Sequence, residues 1–207
     1  IHSEARGQSF EVIDPHLITP EPLYFELGGL VQVDNLRTIL SAVRLLREQG
    51  VAIPEETLRK GFREVTRMTG LRGRWEILSE HPTLICDTAH NEDGIRYVVR
   101  QLVALGRPLH LIFGMVSDKD VRGVLALLPQ SAKYYFTAAS VPRALAPEEL
   151  REFAQAYDLQ GEVYPSIREA LTAAQSAAQP ETDVIFVGGS NFLIADLLAI
   201  QSTNNDK

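Results

Sequence analysis

The stretch that decides the fold is Ile85-Cys86-Asp87-Thr88-Ala89-His90-Asn91-Glu92-Asp93-Gly94. An apolar run ends in a carboxylate, a His-Asn pair and a glycine follow, and a helical pattern opens at Ile95. A strand that carries Asp, His and Asn to its C-terminal tip, just ahead of a helix, is where α/β proteins hold polar ligands. The sequence downstream repeats the unit. Helix Gly94–Leu105 carries Ile95, Val98, Val99 and Leu102, and strand Leu109–Met115 is nearly all apolar, as a parallel strand buried on both faces is. Helix Val121–Leu128, strand Lys133–Thr137, helix Pro147–Tyr157, strand Glu162–Tyr164, helix Ser166–Ala178, strand Val184–Val187 and helix Phe192–Ile200 follow, with Gln201–Lys207 as a frayed tail. Such alternation predicts a Rossmann-like α/β fold, a mostly parallel sheet with helices on both faces and right-handed crossovers.

Upstream the pattern differs. Trp75–Leu78 and Thr83–Cys86 read as strands joined by a turn too short for anything but antiparallel pairing. Phe10–Ile13 and Tyr24–Leu27 alternate at period two around Pro15, Pro20 and Pro22. Leu36, Ile39, Leu40, Val43 and Leu46 then form a helical face that stops at Gly50. A second helix opens with Pro54 at its first position, carries Leu58, Phe62 and Val65 inward, and completes an αα-hairpin that ends at Gly70. The composition changes near residue 70, so residues 1–70 and 71–207 are expected to be separate units. The first holds too little regular structure to stand alone, and the chain opens without an initiator Met. Both features suggest a piece of a longer protein.

A net charge of −7 argues against a nucleic-acid partner. The single cysteine, Cys86, offers neither a disulfide framework nor a metal cluster and fits a reducing compartment. No apolar run reaches the roughly 18 residues of a membrane span and no signal-peptide core opens the chain, so a cytoplasmic protein is expected. There is no G-x-x-x-x-G-K-S/T phosphate loop, no metal-spaced His/Cys/carboxylate set and no G-x-S-x-G elbow. This stretch alone is therefore not a complete kinase, metalloenzyme or serine hydrolase.

The chemistry-bearing candidates gather at strand tips: Asp87–Asn91, Gly114–Asp120, Ala138–Arg143 and Gly188-Gly189-Ser190. Asp87 is either a turn former or a carboxylate for a ribose diol. His90 is either a structural hydrogen-bonder or a group for phosphate or carboxylate. Asp120 is suited to cap the following helix, which leaves Lys119 for an anion. Gly188-Gly189-Ser190 permits close backbone approach and an anion seat at the next helix start. Arg72-Gly73-Arg74 sets two guanidiniums around a glycine, either a solvated pair or a phosphate clamp.

The succession Gln32-Val33-Asp34-Asn35, Gly73-Arg74-Trp75-Glu76, Asp87-Thr88-Ala89-His90-Asn91 and Gly114-Met115-Val116-Ser117-Asp118-Lys119-Asp120 resembles the Mur ligase superfamily. The match is to its folate branch, the folylpolyglutamate synthase/dihydrofolate synthase family, which reads D-G-A-H-N and G-M-x-x-D-K-D at the last two motifs. The Pro142-Arg143-Ala144 step and the Gly-Ser near the end also resemble it. Peptidoglycan Mur ligases, which act on UDP-MurNAc peptides, differ around the His and lack the D-K-D step. A non-catalytic Rossmann-like binding module is the other alternative. Thr88 stands where the family has Gly, and Glu92-Asp93 replaces Asn-Pro; a Thr there alters the loop if its φ is positive.

The resemblance implies an ATP-dependent, ADP-forming amide ligase of folate biosynthesis and one-carbon metabolism. Such an enzyme phosphorylates a pterin carboxylate, and the amine of L-glutamate attacks the acyl phosphate. It also implies that residues 1–70 end a central ATPase domain and that 71–207 are the C-terminal Rossmann-like domain. The phosphate loop, the magnesium ligands and a carbamylated Lys would lie in an N-terminal part not present here. Asn35, Arg74 and Asp87 match positions that contact ATP, Arg74 at the phosphates and Asp87 at the ribose. His90, as the catalytic position, and Ser190 match positions for phosphate or incoming glutamate, and Lys119 is a further substrate candidate. The implied partners are ATP, glutamate and folate or dihydropteroate, with magnesium, in a monomer free of membrane and nucleic acid.

Overall fold

The computed structural model describes residues 2–3, 7–13 and 21–205. It divides into two compact units, Ile1–Glu76 and Ile77–Lys207.

In the first unit β1 (His2–Ser3), β2 (Gln8–Phe10) and β3 (Leu23–Phe25) form an antiparallel sheet in that order. The strands are shorter than the alternation suggests and start earlier. Gln8 pairs with Phe25 and is buried because its side-chain amide donates to the carbonyls of Leu27 and Gly29, whereas Ile13 is almost fully exposed. Pro15 and Pro20 lie outside the described residues. Three helices follow: α1 (Gln32–Glu48), α2 (Glu55–Arg63) and α3 (Val65–Thr69). Gly50 (φ 89°) and Gly70 (φ 71°) end α1 and α3 in left-handed backbone that glycine takes without strain. Pro54 is the N-cap of α2, one residue before the helical position expected for it. Leu36, Leu40 and Val43 pack inward with Leu58 and Phe62, and Phe25 meets Phe62 edge-on at 5.2 Å. Ile39 and Leu46, expected on the same face, are exposed. Their positions satisfy the helical period but fall at the margin of the apolar stripe formed by Leu36, Leu40 and Val43.

The larger sheet contains β4 (Glu76–Glu80), β5 (Thr83–Cys86), β6 (Leu109–Phe113), β7 (Lys133–Phe136), β8 (Gly161–Val163) and β9 (Val184–Gly188), in the order β4-β5-β9-β6-β7-β8. β5, β9, β6, β7 and β8 pair in parallel. β4 lies beside β5 across two residues, a link too short for a parallel crossover. The intervening helices are α4 (Glu92–Ala104), α5 (Val121–Leu125), α6 (Pro147–Gln155), α7 (Ile167–Ala177) and α8 (Asn191–Asn205). Every residue of β6 and β9 is buried, which is why both read as nearly continuous apolar runs, His110 being the polar exception in β6. A fully buried Phe113 or Phe186 contributes about 1.5–3 kcal/mol by leaving water. Helix α8 continues to Asn205, through most of the expected frayed tail; Asp206 and Lys207 are outside the described residues.

At the opposite edge from the site, buried His110 bridges Tyr135 and Asp183. Its Nε2 faces the Asp183 carboxylate at 3.1 Å and its Nδ1 the Tyr135 hydroxyl at 2.8 Å. The Asp183 carboxylate also accepts from the Gln179 backbone N–H at 3.0 Å and from the Thr182 hydroxyl at 2.7 Å. These donors, the Gln179 amide first, hold its pKa below the usual carboxylate range. A depressed folded-state pKa gives stability that is complete above the unfolded value and lost as pH falls through the folded one. Asp183→Asn is therefore expected to flatten the acid limb of the stability curve while changing its neutral-to-basic limb by a constant offset. Denaturant titrations across pH check this; an unchanged acid limb contradicts it.

Candidate functional site

Because β5, β9, β6 and β7 are adjacent and parallel, the loops after them leave one edge of the sheet. That edge brings together Asp87–Asn91, Gly188–Ser190, Gly114–Asp120 and Ala138–Arg143. The loops are laced by backbone. Asp87 N–H donates to the Val187 carbonyl and Gly114 N–H to the Gly188 carbonyl. Ser117 N–H donates to the Arg143 carbonyl and Leu145 N–H to the Met115 carbonyl. Glycine is needed at 114, where a Cβ would stand 2.4 Å from the Thr137 carbonyl oxygen.

Asp87 is buried, and its Oδ1 accepts the Ala89 backbone N–H at 2.8 Å. It is a turn former, one of the two readings its sequence allows. The turn does not by itself exclude a ligand role. Next to it, the His90 Nδ1 lies 3.0 Å from the Thr88 carbonyl oxygen. A carbonyl can only accept, so Nδ1 carries the hydrogen and Nε2 is the ring edge left for chemistry. Thr88 does not have positive φ, so the side chain at this position leaves the backbone course unstrained. Its hydroxyl is buried without a hydrogen-bond partner. Asn91, quoted above only as half of a His-Asn pair, caps α4: its Oδ1 accepts the Gly94 N–H at 2.9 Å. A side-chain acceptor three residues before a helical amide is a readable cap signature that the chemistry of the neighbouring His obscures.

At the β6 tip, Asp120 caps α5 through the Gly123 N–H, as its sequence suggests. Lys119 is exposed and makes no ion pair among the described residues. Asp118 pairs with Arg143 at 3.2 Å, and the Arg143 guanidinium lies 4.6 Å from the Phe192 ring centroid. Neither contact is visible in the sequence, since the partners are far apart along it. Ser190 is buried, and its Oγ accepts the Phe192 N–H at 3.2 Å, so it starts α8 as a cap.

The remaining candidates belong to the first unit. Asn35 sits in the first turns of α1 with its side chain donating to Gln32 at 2.9 Å. Arg74 follows Gly73 in the segment that leads to β4. Asn35 and Arg74 line one cavity of about 670 Å³ with Gln32, Thr38 and Thr57, the rest of its wall being apolar and including Leu27, Ile39, Ile53 and Leu71. The two arginines flanking Gly73 separate here. Arg72 is tied to the Glu76 carboxylate, whereas Arg74 makes no ion pair among the described residues. Among those residues no group of three or more His, Cys, Asp or Glu is placed to hold a metal ion. No described helix is long and apolar enough to cross a membrane.

Comparison with known proteins gives this geometry a context. The family described as "Mur ligase, glutamate ligase domain" matches residues 73–191. The dihydrofolate synthase/folylpolyglutamate synthase of Escherichia coli is 33% identical over 175 residues, covering 83% of this chain and 38% of that protein. The Mycobacterium tuberculosis folylpolyglutamate synthase complexed with ADP superposes with a TM-score of 0.73 at 26% identity, over 86% of this chain and 42% of that one. The bifunctional enzyme of Yersinia pestis complexed with AMPPNP and a manganese ion gives 0.65 at 29% identity, over 78% and 37%. The chain thus spans about two fifths of the length of these relatives. With the glutamate ligase domain matching more than half of it, the chain belongs to the Mur ligase family.

Proposed function

We propose that the chain is the C-terminal part of an ATP-dependent amide ligase that adds L-glutamate to a folate or dihydropteroate carboxylate, releasing ADP and phosphate. On this reading residues 1–70 are the end of a central ATPase domain and 71–207 are the C-terminal domain. The observation that carries it is the shared cavity of Asn35 and Arg74: an apolar wall for a flat base, with an amide and a guanidinium at its polar side. The relatives named above, synthases solved with ADP or AMPPNP, support the same reading.

In this mechanism Arg74 meets the phosphates, where negative charge builds as the phosphoryl group moves to the carboxylate. Asp87 accepts hydrogen bonds from the ribose hydroxyls through its carboxylate, held in place by the Ala89 turn. His90 presents Nε2 to the reactants, because Nδ1 is committed to the Thr88 carbonyl. Neutral, that nitrogen accepts a hydrogen from the ammonium group of glutamate; protonated, it donates to the acyl phosphate. Ser190 and Lys119 bind the glutamate carboxylates. The amine then attacks the acyl carbon, the C–N bond forms, and the C–O bond to phosphate breaks. Magnesium would be held by residues outside this chain and would supply charge neutralisation at the phosphates. The enzyme works as a cytoplasmic monomer.

The reading is tested in the longer protein by labelling the pterin carboxylate with heavy oxygen. Transfer of one label to inorganic phosphate for each amide formed is expected. Unlabelled phosphate alongside amide formation overturns the acyl phosphate route.

A further inference from the structure

Only Trp75 (φ 48°) and Asp158 (φ 59°) are non-glycine residues with positive φ among the described residues. A bulky aromatic residue rarely adopts that backbone, and it persists only where its surroundings hold it. Gly73, one residue before Arg74, is left-handed as well (φ 71°). Arg74 is therefore flanked on both sides by left-handed backbone, which fixes the direction in which its Cα–Cβ bond leaves the chain. Two features hold the turn. On one side is Gly28, where a Cβ would stand 3.0 Å from the Trp75 carbonyl oxygen and 3.4 Å from its Cδ1, so Trp75 sits closely over a bare backbone. On the other is the Glu76 carboxylate. Its Oε2 accepts the Gly73 backbone N–H at 2.8 Å and its Oε1 accepts Nε of Arg72 at 2.9 Å, with the Arg72 Nη2 as a second donor. One side chain thus ties the backbone before Arg74 and the neighbouring guanidinium together.

We propose that Glu76 is a positioning residue: it builds the Gly73–Trp75 turn and so aims Arg74 into the cavity that Arg74 shares with Asn35. The proposal rests on the reading of Arg74 as the phosphate contact, and it assigns Glu76 no contact with substrate. What matters is the reach of its acceptor oxygen to the Gly73 N–H. Glu76→Gln keeps an oxygen at that reach for the Gly73 N–H while giving up the charge and the second acceptor for Arg72, whereas Glu76→Asp keeps the charge and falls one methylene short.

The test is calorimetric ADP binding to the longer protein, with Arg74→Ala measured in parallel. ADP affinity within about twofold of the parent is expected for Glu76→Gln, and a loss of about tenfold for Glu76→Asp, since small misplacements of a positioned group are costly. The KM for glutamate stays unchanged in both. In the 207-residue chain Trp75 is the single tryptophan, so its emission reports the same turn: it shifts in Glu76→Asp and not in Glu76→Gln. Aspartate binding ADP as well as glutamine does, or better, overturns the proposal. If Arg74→Ala itself binds ADP like the parent, the reading of Arg74 falls. If Arg74→Ala loses ADP while Glu76→Asp does not, the reading of Arg74 stands and the role of Glu76 falls.

Discussion

Arg74→Ala in the longer protein is expected to lower kcat/KM for ATP by about 10²–10³-fold, the range seen when a preorganised donor to developing charge is removed. The folded state should barely change, because Arg74 is half-buried and makes no ion pair among the described residues that its loss would orphan. Arg72→Ala provides the contrast. That guanidinium is held by Glu76, so its removal is expected to alter the turn more than the chemistry and to cost far less in rate. Steady-state kinetics with ATP varied, alongside thermal unfolding, separates the two. Equal losses in both variants would mean that the arginines act as a surface pair, the plain reading of Arg72-Gly73-Arg74.

The second large effect is expected at Asp87, where the structure allows turn and ligand roles to be separated. Asp87→Asn keeps an oxygen for the Ala89 N–H and gives up the charged acceptor. It should fold like the parent and weaken ATP binding by roughly 10–100-fold, the equivalent of a charged hydrogen bond of about 1.5–3 kcal/mol. Asp87→Ala loses the turn as well and should also lower unfolding stability by roughly 1 kcal/mol. ATP titration and denaturant unfolding of the two variants check this. If the asparagine variant binds ATP normally and only the alanine variant is impaired, Asp87 is a turn residue and nothing more.

Much of the second unit is legible in the sequence because its chemistry is local. Apolar runs at Leu109–Phe113 and Val184–Gly188 are strands because both faces are covered, and the helices between them follow the 3.6-residue period. Asp120 reads as a cap from its place before Val121. The first unit is harder. Its short strands are set by the Gln8 side chain, which reaches carbonyls about twenty residues away. No window of sequence contains both ends of that contact. The exposure of Ile39 and Leu46 is likewise not written in the helical period, which they satisfy.

The candidate residues show the same division. Their types and order point to the four strand tips and to Arg74. What each side chain is free to do depends on contacts across the fold. Arg72 and Arg74 are indistinguishable in sequence and are sorted only by the Glu76 carboxylate. Gly188-Gly189-Ser190 reads as an anion seat, and the burial of Ser190 with its oxygen on the Phe192 N–H shows only in the fold. Arg143 is one of many surface arginines until Asp118 and Phe192 are seen beside it. The left-handed backbone of Trp75 has no sequence signature, since nothing in the residue favours it.

The most direct measurement of the central claim is ADP release by the longer protein, with ATP, L-glutamate and a pterin carboxylate supplied in all combinations and the product weighed by mass spectrometry. ADP is expected only when all three are present, with one glutamyl residue added per ADP and no product from the 207-residue chain alone. Glutamate-dependent ADP release from the 207-residue chain by itself, or turnover with a UDP-MurNAc peptide in place of the pterin, would contradict it.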